Sequence, residues 1–123
     1  MISPMPTSQK KRHIRNETMK AVRIHAYGGP EVLRYENAMR PIPGAGEVLV
    51  RVFAAAVNPV DWKIREGYLK SMVPHSFPLT LGWDFSGVVE SIGAGVIYWK
   101  KGDDVYTRPD LSGNGAYADY IVV

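Results

Sequence analysis

The sequence predicts a mainly β fold, a partly open β-barrel with one or two short helices. Three observations predict it. Apolar and polar residues alternate with a period of two through six short runs, clusters of Gly, Pro, Asn and Asp separate the runs, and only one stretch carries helix start and stop signals. At 123 residues the chain is long enough to bury a core without crosslinks.

The elements follow in order. Lys20 to His25 (KAVRIH) is the first predicted strand, and the turn "YGGPE" leads to a second at Val32 to Asn37 (VLRYEN). "PIPGAGE" pairs fixed proline dihedrals with glycines that accept positive φ, which makes it a turn before the long third strand, Glu47 to Val57. The helix is "NPVDWKIREG": Asn58 can cap it, Pro59 suits the first helical position, and Gly67 can end it in the left-handed region. Phe85 to Ile92, Asp104 to Thr107 and Ala116 to Val123 complete the set, with "KKGDD" as a compact turn before a strand expected to be buried.

Composition narrows the function. The chain has no cysteine, which excludes disulfides and cysteine-ligated zinc and suits a reducing, cytoplasmic setting. Hydrophobic residues make up 46%, yet no apolar run approaches the roughly 18 residues of a membrane span, so no membrane partner is expected. The net charge of +3 sits in residues 1–18, where Lys10, Lys11, Arg12 and Arg15 face only Glu17. The remaining 15 − 4 = 11 basic residues balance 12 − 1 = 11 acidic ones, so the body lacks the basic footprint of a nucleic-acid binder. Residues 1–18 read as a disordered basic extension and 19–123 as the folded domain.

Several strings fail as chemical motifs. "GNGAYA" (113–118) matches a dinucleotide fingerprint by letters, but it follows a polar turn and leads into an alternating strand where the motif needs a strand, a turn and a helix. His13, His25 and His75 lie on separate elements and form no ligand pair, and Ser86 lacks the glycine two residues before it that a nucleophile elbow needs. The concentrated signal is "AAAVNPVDWKIREG", where a strand of small residues delivers Asn58 and the next turn places Asp61, Lys63 and Arg65 close by. Two readings stand for it. Fixed amide and ammonium groups at the mouth of an apolar scaffold can orient a planar polar ligand. Equally, Asn58 as helix cap and Asp61 as a first-turn acid favoured by the helix dipole account for both residues structurally.

"MKAVRIHAYGGPEVLRYENAMRPIPGAGEVLVRVFAAAVNPVDWKIREG", "FPLTLGWDFSGVVESIGAGVIYWKKGDDVY" and "GAYADYIVV" together resemble the amino-terminal, GroES-like domain of the zinc-independent medium-chain dehydrogenase/reductases, of the quinone oxidoreductase and alkenal (enone) reductase type. The resemblance covers Met19 to Val123 and implies a GroES-like barrel on the substrate side of a two-domain reductase that uses NADPH. It makes Asn58, Asp61 and Lys63 the candidate catalytic residues, with Asn58 and Lys63 also beside the nicotinamide. It further implies a quinone or enone substrate and an electrostatic role for the Lys63 ammonium near the oxygen that gains charge as hydride arrives. Trp62 and Tyr68 are expected as packing or pocket walls, and Arg65 as structural.

Departures from the wider family matter as much. Zinc-dependent relatives carry a Cys after the third strand and Gly-His-Glu in the segment resembling "GWD"; here Asn58, Trp83 and Asp84 stand at those places, so zinc is not expected. Trp83 and Asp84 are assigned mainly to packing and local hydrogen bonding. Gly82 and Gly87 are expected to permit close backbone approach, and Gly93 with Gly95 the following turn. The chain stops at "IVV", where the family continues into a Rossmann domain of roughly 150 to 200 residues. This predicts little activity and no tight cofactor binding by the chain alone, and an uncovered interdomain face that favours a homo-oligomer. The alternative is a stand-alone GroES-like barrel acting as an interaction or assembly module.

Overall fold

The computed structural model describes residues 17–123. Residues 1–16, most of the basic extension, lie outside the described residues. Seven strands form two sheets: β1 (Thr18–Ile24), β2 (Arg34–Met39) and β4 (Leu79–Thr80) in the order β2-β1-β4, and β3 (Val48–Ala55), β5 (Phe85–Ile92), β6 (Asp104–Thr107) and β7 (Tyr120–Val122) in the order β6-β5-β3-β7. One α-helix, α1 (Pro59–Arg65), follows β3, and a single 3-10 turn, Pro30–Val32, precedes β2. This is the partly open barrel expected from the alternation, with every strand pair antiparallel.

Several boundaries moved. β1 already includes Thr18, paired with Met39. The second strand starts at Arg34 because Pro30, with its φ fixed, begins a 3-10 turn that takes up Val32. β4 was not foreseen: two residues are too few to display a period. The last predicted strand splits, because Ala118 bridges to Ala21 in one sheet while Tyr120–Val122 pair with β3 in the other. β6 is an edge strand and mostly exposed rather than buried, since β5 is its one partner.

Two apolar clusters hold the sheets. Val48, Val50, Phe85, Val89, Ala116 and Ile121 form one, and Ile24, Ile64, Leu79, Leu81 and Trp83 the other. Spacing decides who enters. Alternation places Phe85, Gly87 and Val89 inward along β5. The buried positions of α1 are Asp61 and Ile64, three apart and therefore on one face. Gly87 is required by a close approach, since a Cβ there would lie 2.2 Å from the Arg51 carbonyl oxygen.

Candidate functional site

β3 delivers the site. Its pairing with β7 ends at Arg51, a bulge displaces Phe53 between Val52 and Ala54, and the strand runs on through exposed Ala54, Ala55 and Ala56 to half-buried Asn58. Asn58 is the N-cap of α1 with extended backbone, and Pro59 takes the first helical position. Asp61 reaches back so that its Oδ2 accepts the Asn58 backbone N–H at 2.6 Å, the returning half of a capping box. Gly67, at φ +85°, ends the helix as expected.

The structure therefore brings Asn58 and Asp61 together. Asp61 is 5% exposed. Besides Asn58, its Oδ2 lies 3.2 Å from the Tyr117 hydroxyl, and its Oδ1 is buried without a partner among the described residues. The Asn58 side chain donates from Nδ2 to Asp84 Oδ2 at 3.3 Å. Asp84 holds the same connection through its backbone, its carbonyl accepting the Ala56 N–H at 2.8 Å. Lys63 stands apart on the solvent side of α1, its Nζ 5.8 Å from the centre of the Trp62 ring. Trp62 and Tyr68 meet edge to face at 5.6 Å, a wall beside it. Arg65 is tied to Gly28 in both directions, Nε to the Gly28 carbonyl at 3.1 Å and its own carbonyl to the Gly28 N–H at 2.9 Å, and so has the structural role expected.

Two residues here escaped the sequence reading as members of the site. Asp84 was expected to make local hydrogen bonds, and its bonds run to the Asn58 side chain and the Ala56 backbone. Tyr117 carried no local signal, being 56 residues from Asp61 and 61 from Ala56, whose carbonyl oxygen lies 3.1 Å from its hydroxyl. Burial, reinforced by the Asp61 carboxylate, pushes the Tyr117 phenol up to about 12. The hydroxyl thus keeps its proton, and its role as donor, through the neutral range. Trp83 is 1% exposed in the core, and its indole N–H has no partner among the described residues.

A sizeable cavity lies elsewhere. It measures about 770 Å³, opens between the two sheets and is lined by Met19, Arg23, Thr80, Thr107, Asn114 and Ile121 among others. None of Asn58, Asp61 or Lys63 borders it. It is the gap of an unclosed barrel, whereas the hydrogen-bonded polar cluster gathers around the start of α1.

Residues 44–123 match the alcohol dehydrogenase GroES-like domain. The chain belongs to that family. Quinone oxidoreductase of Sus scrofa is 45% identical over 103 residues, covering 83% of this chain and 30% of that protein. Among solved structures, quinone oxidoreductase from Coxiella burnetii superposes with a TM-score of 0.76 at 32% identity, over 86% of this chain and 34% of that one. The cobalt- and zinc-bound thermostable alcohol dehydrogenase from Pyrobaculum aerophilum superposes with a TM-score of 0.78 at 31% identity, over 87% and 39%. This GroES-like domain thus spans about a third of the length of these relatives. Among its described residues, no helix is long and apolar enough to cross a membrane.

Proposed function

We propose that the chain is the substrate-side domain of an NADPH-dependent, zinc-independent quinone or enone oxidoreductase of the cytoplasm. The observation that carries this reading is the Asn58 amide, half-buried at the end of β3 and held by Asp84, with Lys63 exposed on the helix that Asn58 caps. The relatives named quinone oxidoreductases support the substrate class.

The residues fit a nicotinamide and not a zinc ion. Asn58 spends one Nδ2 hydrogen on Asp84 and keeps the other to orient a planar carboxamide or a carbonyl. A nicotinamide bound there would supply hydride. Lys63 would stabilise the oxygen that gains negative charge when hydride reaches the acceptor. Asp61, turned inward, would orient Asn58 rather than touch the ligand. Trp83 stands where zinc relatives place a histidine, and its buried indole N–H is a donor with no lone pair for a metal.

Titrating the isotopically labelled chain with millimolar NADPH tests this reading. The expected result is amide shift changes at Asn58 and Lys63 that weaken in Lys63→Met; no change at either residue would sink it. Turnover of NADPH and a quinone by the chain alone is expected to be very low, and family-like turnover would overturn that part. The same end of the molecule exposes Phe53, Val57 and, across from Ser86, Tyr106, which is 88% exposed. We assign self-association into a homo-oligomer to this face. A monomeric sedimentation profile at high concentration would count against it.

A further inference from the structure

We propose that Tyr117 is the positioning residue of this site: its hydroxyl clamps Asp61 and the Ala56 carbonyl, and so fixes the backbone that presents Asn58. The tyrosine is itself fixed before it reaches the site. Its backbone N–H donates to the Leu81 carbonyl at 2.8 Å, and its carbonyl accepts the Val22 N–H at 2.7 Å. Its ring lies over Gly82, whose φ of +100° and missing Cβ make the slot; a Cβ there would lie 2.4 Å from Tyr117 Cδ1. The hydroxyl ends 3.1 Å from the Ala56 oxygen and 3.2 Å from Asp61 Oδ2, so its one proton is shared between the two ends of the β3–α1 connection.

The hydroxyl matters because Asp61 is held inward against a cost. One carboxylate oxygen is buried and unpartnered among the described residues, and a carboxylate in that position is retained only by the bonds to its other oxygen. Those bonds come from Asn58 N–H and Tyr117 O–H. Removing the phenol donor leaves one bond to hold the charge, and the carboxylate gains reason to turn toward water. Asn58 then loses the acceptor that fixes its backbone. A phenylalanine would fill the same slot without the clamp.

The positioning role concerns the chain's own geometry; its effect on a ligand rests on the nicotinamide reading above. Tyr117→Phe separates the two. Hydrogen exchange at the Asn58 amide is expected to speed up about tenfold, the worth of one hydrogen bond to a charged acceptor, while exchange at Val50 stays unchanged. The NADPH-induced shifts at Asn58 should weaken by a similar factor. Unchanged exchange at Asn58 in a folded Tyr117→Phe would overturn the proposal. Faster exchange with no NADPH response in either protein would support the clamp and sink the nicotinamide reading. Asp61→Asn probes the link from the other side and does not depend on Tyr117→Phe folding. It keeps an oxygen acceptor but removes the charge, so the Tyr117 phenol should titrate at lower pH than in the wild type; an unmoved titration would also overturn the clamp.

Discussion

The two ends of β3 are built for different work. At its start, Val48, Leu49 and Val50 are buried and paired to β5 on one side and to β7 on the other, and Val48 and Val50 pack into the apolar cluster with Phe85 and Val89. About 26 Å further on, at the strand rise of 3.3 Å per residue, β7 has fallen away, a bulge has broken the register, and Ala54 to Val57 are exposed. The first end is fixed by burial on both sides. The second has little core to hold it, so its geometry depends on a few polar contacts from distant segments: Asp84, Asp61 and Tyr117. A strand can therefore anchor a domain at one end and present a site at the other, with the stability and the site geometry separable.

That separation can be broken from either end. Val50→Ala removes a fully buried side chain and should cost about 2–3 kcal/mol in denaturant unfolding while leaving the Asn58 amide environment in place. Asp61→Ala deletes the returning half of the capping box and should cost about 1–2 kcal/mol, with chemical shifts moving at Asn58 and Tyr117 but not at Val48. A third effect appears with pH. The folded state keeps the Tyr117 proton up to about 12, whereas the unfolded chain releases it near 10.0, so this contribution is complete below pH 10 and is lost as pH rises toward 12. Unfolding followed across that window should fall less steeply in Tyr117→Phe. Smallest of all, Phe53→Ser, on an exposed bulge, should change stability by less than about 0.5 kcal/mol while altering the sedimentation profile.

The same contrast governs what could be read from the sequence. Elements with a period or a local code were legible: the alternation of β1, β3 and β5, the Asn58-Pro59 start of α1 and its Gly67 stop, and the close approach at Gly82 and Gly87. Leu79–Thr80 was not, because two residues carry no period, and its pairing with Arg23 and Ile24 is a tertiary event. Val32 was misplaced because a fixed proline dihedral outweighed its β preference. At the site, Asn58 and Asp61 announced themselves through capping chemistry, and the resemblance supplied Lys63. Tyr117 could not be found that way. Its partners lie 56 and 61 residues away, and only the folded chain puts Gly82 beneath its ring.

The segment carrying Tyr117 also sets the order in which the molecule can assemble. Gly115, Ala116 and Tyr117 bond to Thr80, Gly82 and Leu81, and Ala118 bridges to Ala21, all on the side of β1 and β4. Asp119 spans the two, its N–H donating to the Lys20 carbonyl of β1 and its carbonyl accepting the Val52 N–H, and from Tyr120 onward the chain bonds to Arg51, Val50, Leu49 and Val48 of the other sheet. One continuous stretch of nine residues, Gly115 to Val123, stitches the two halves. During synthesis the hairpin of β1 with β2 can close early, but the seam between the sheets waits until residues 115–123 have been made. Folding of this chain is thus governed by contacts of long sequence separation, and its slow step is expected to be the closing of that seam.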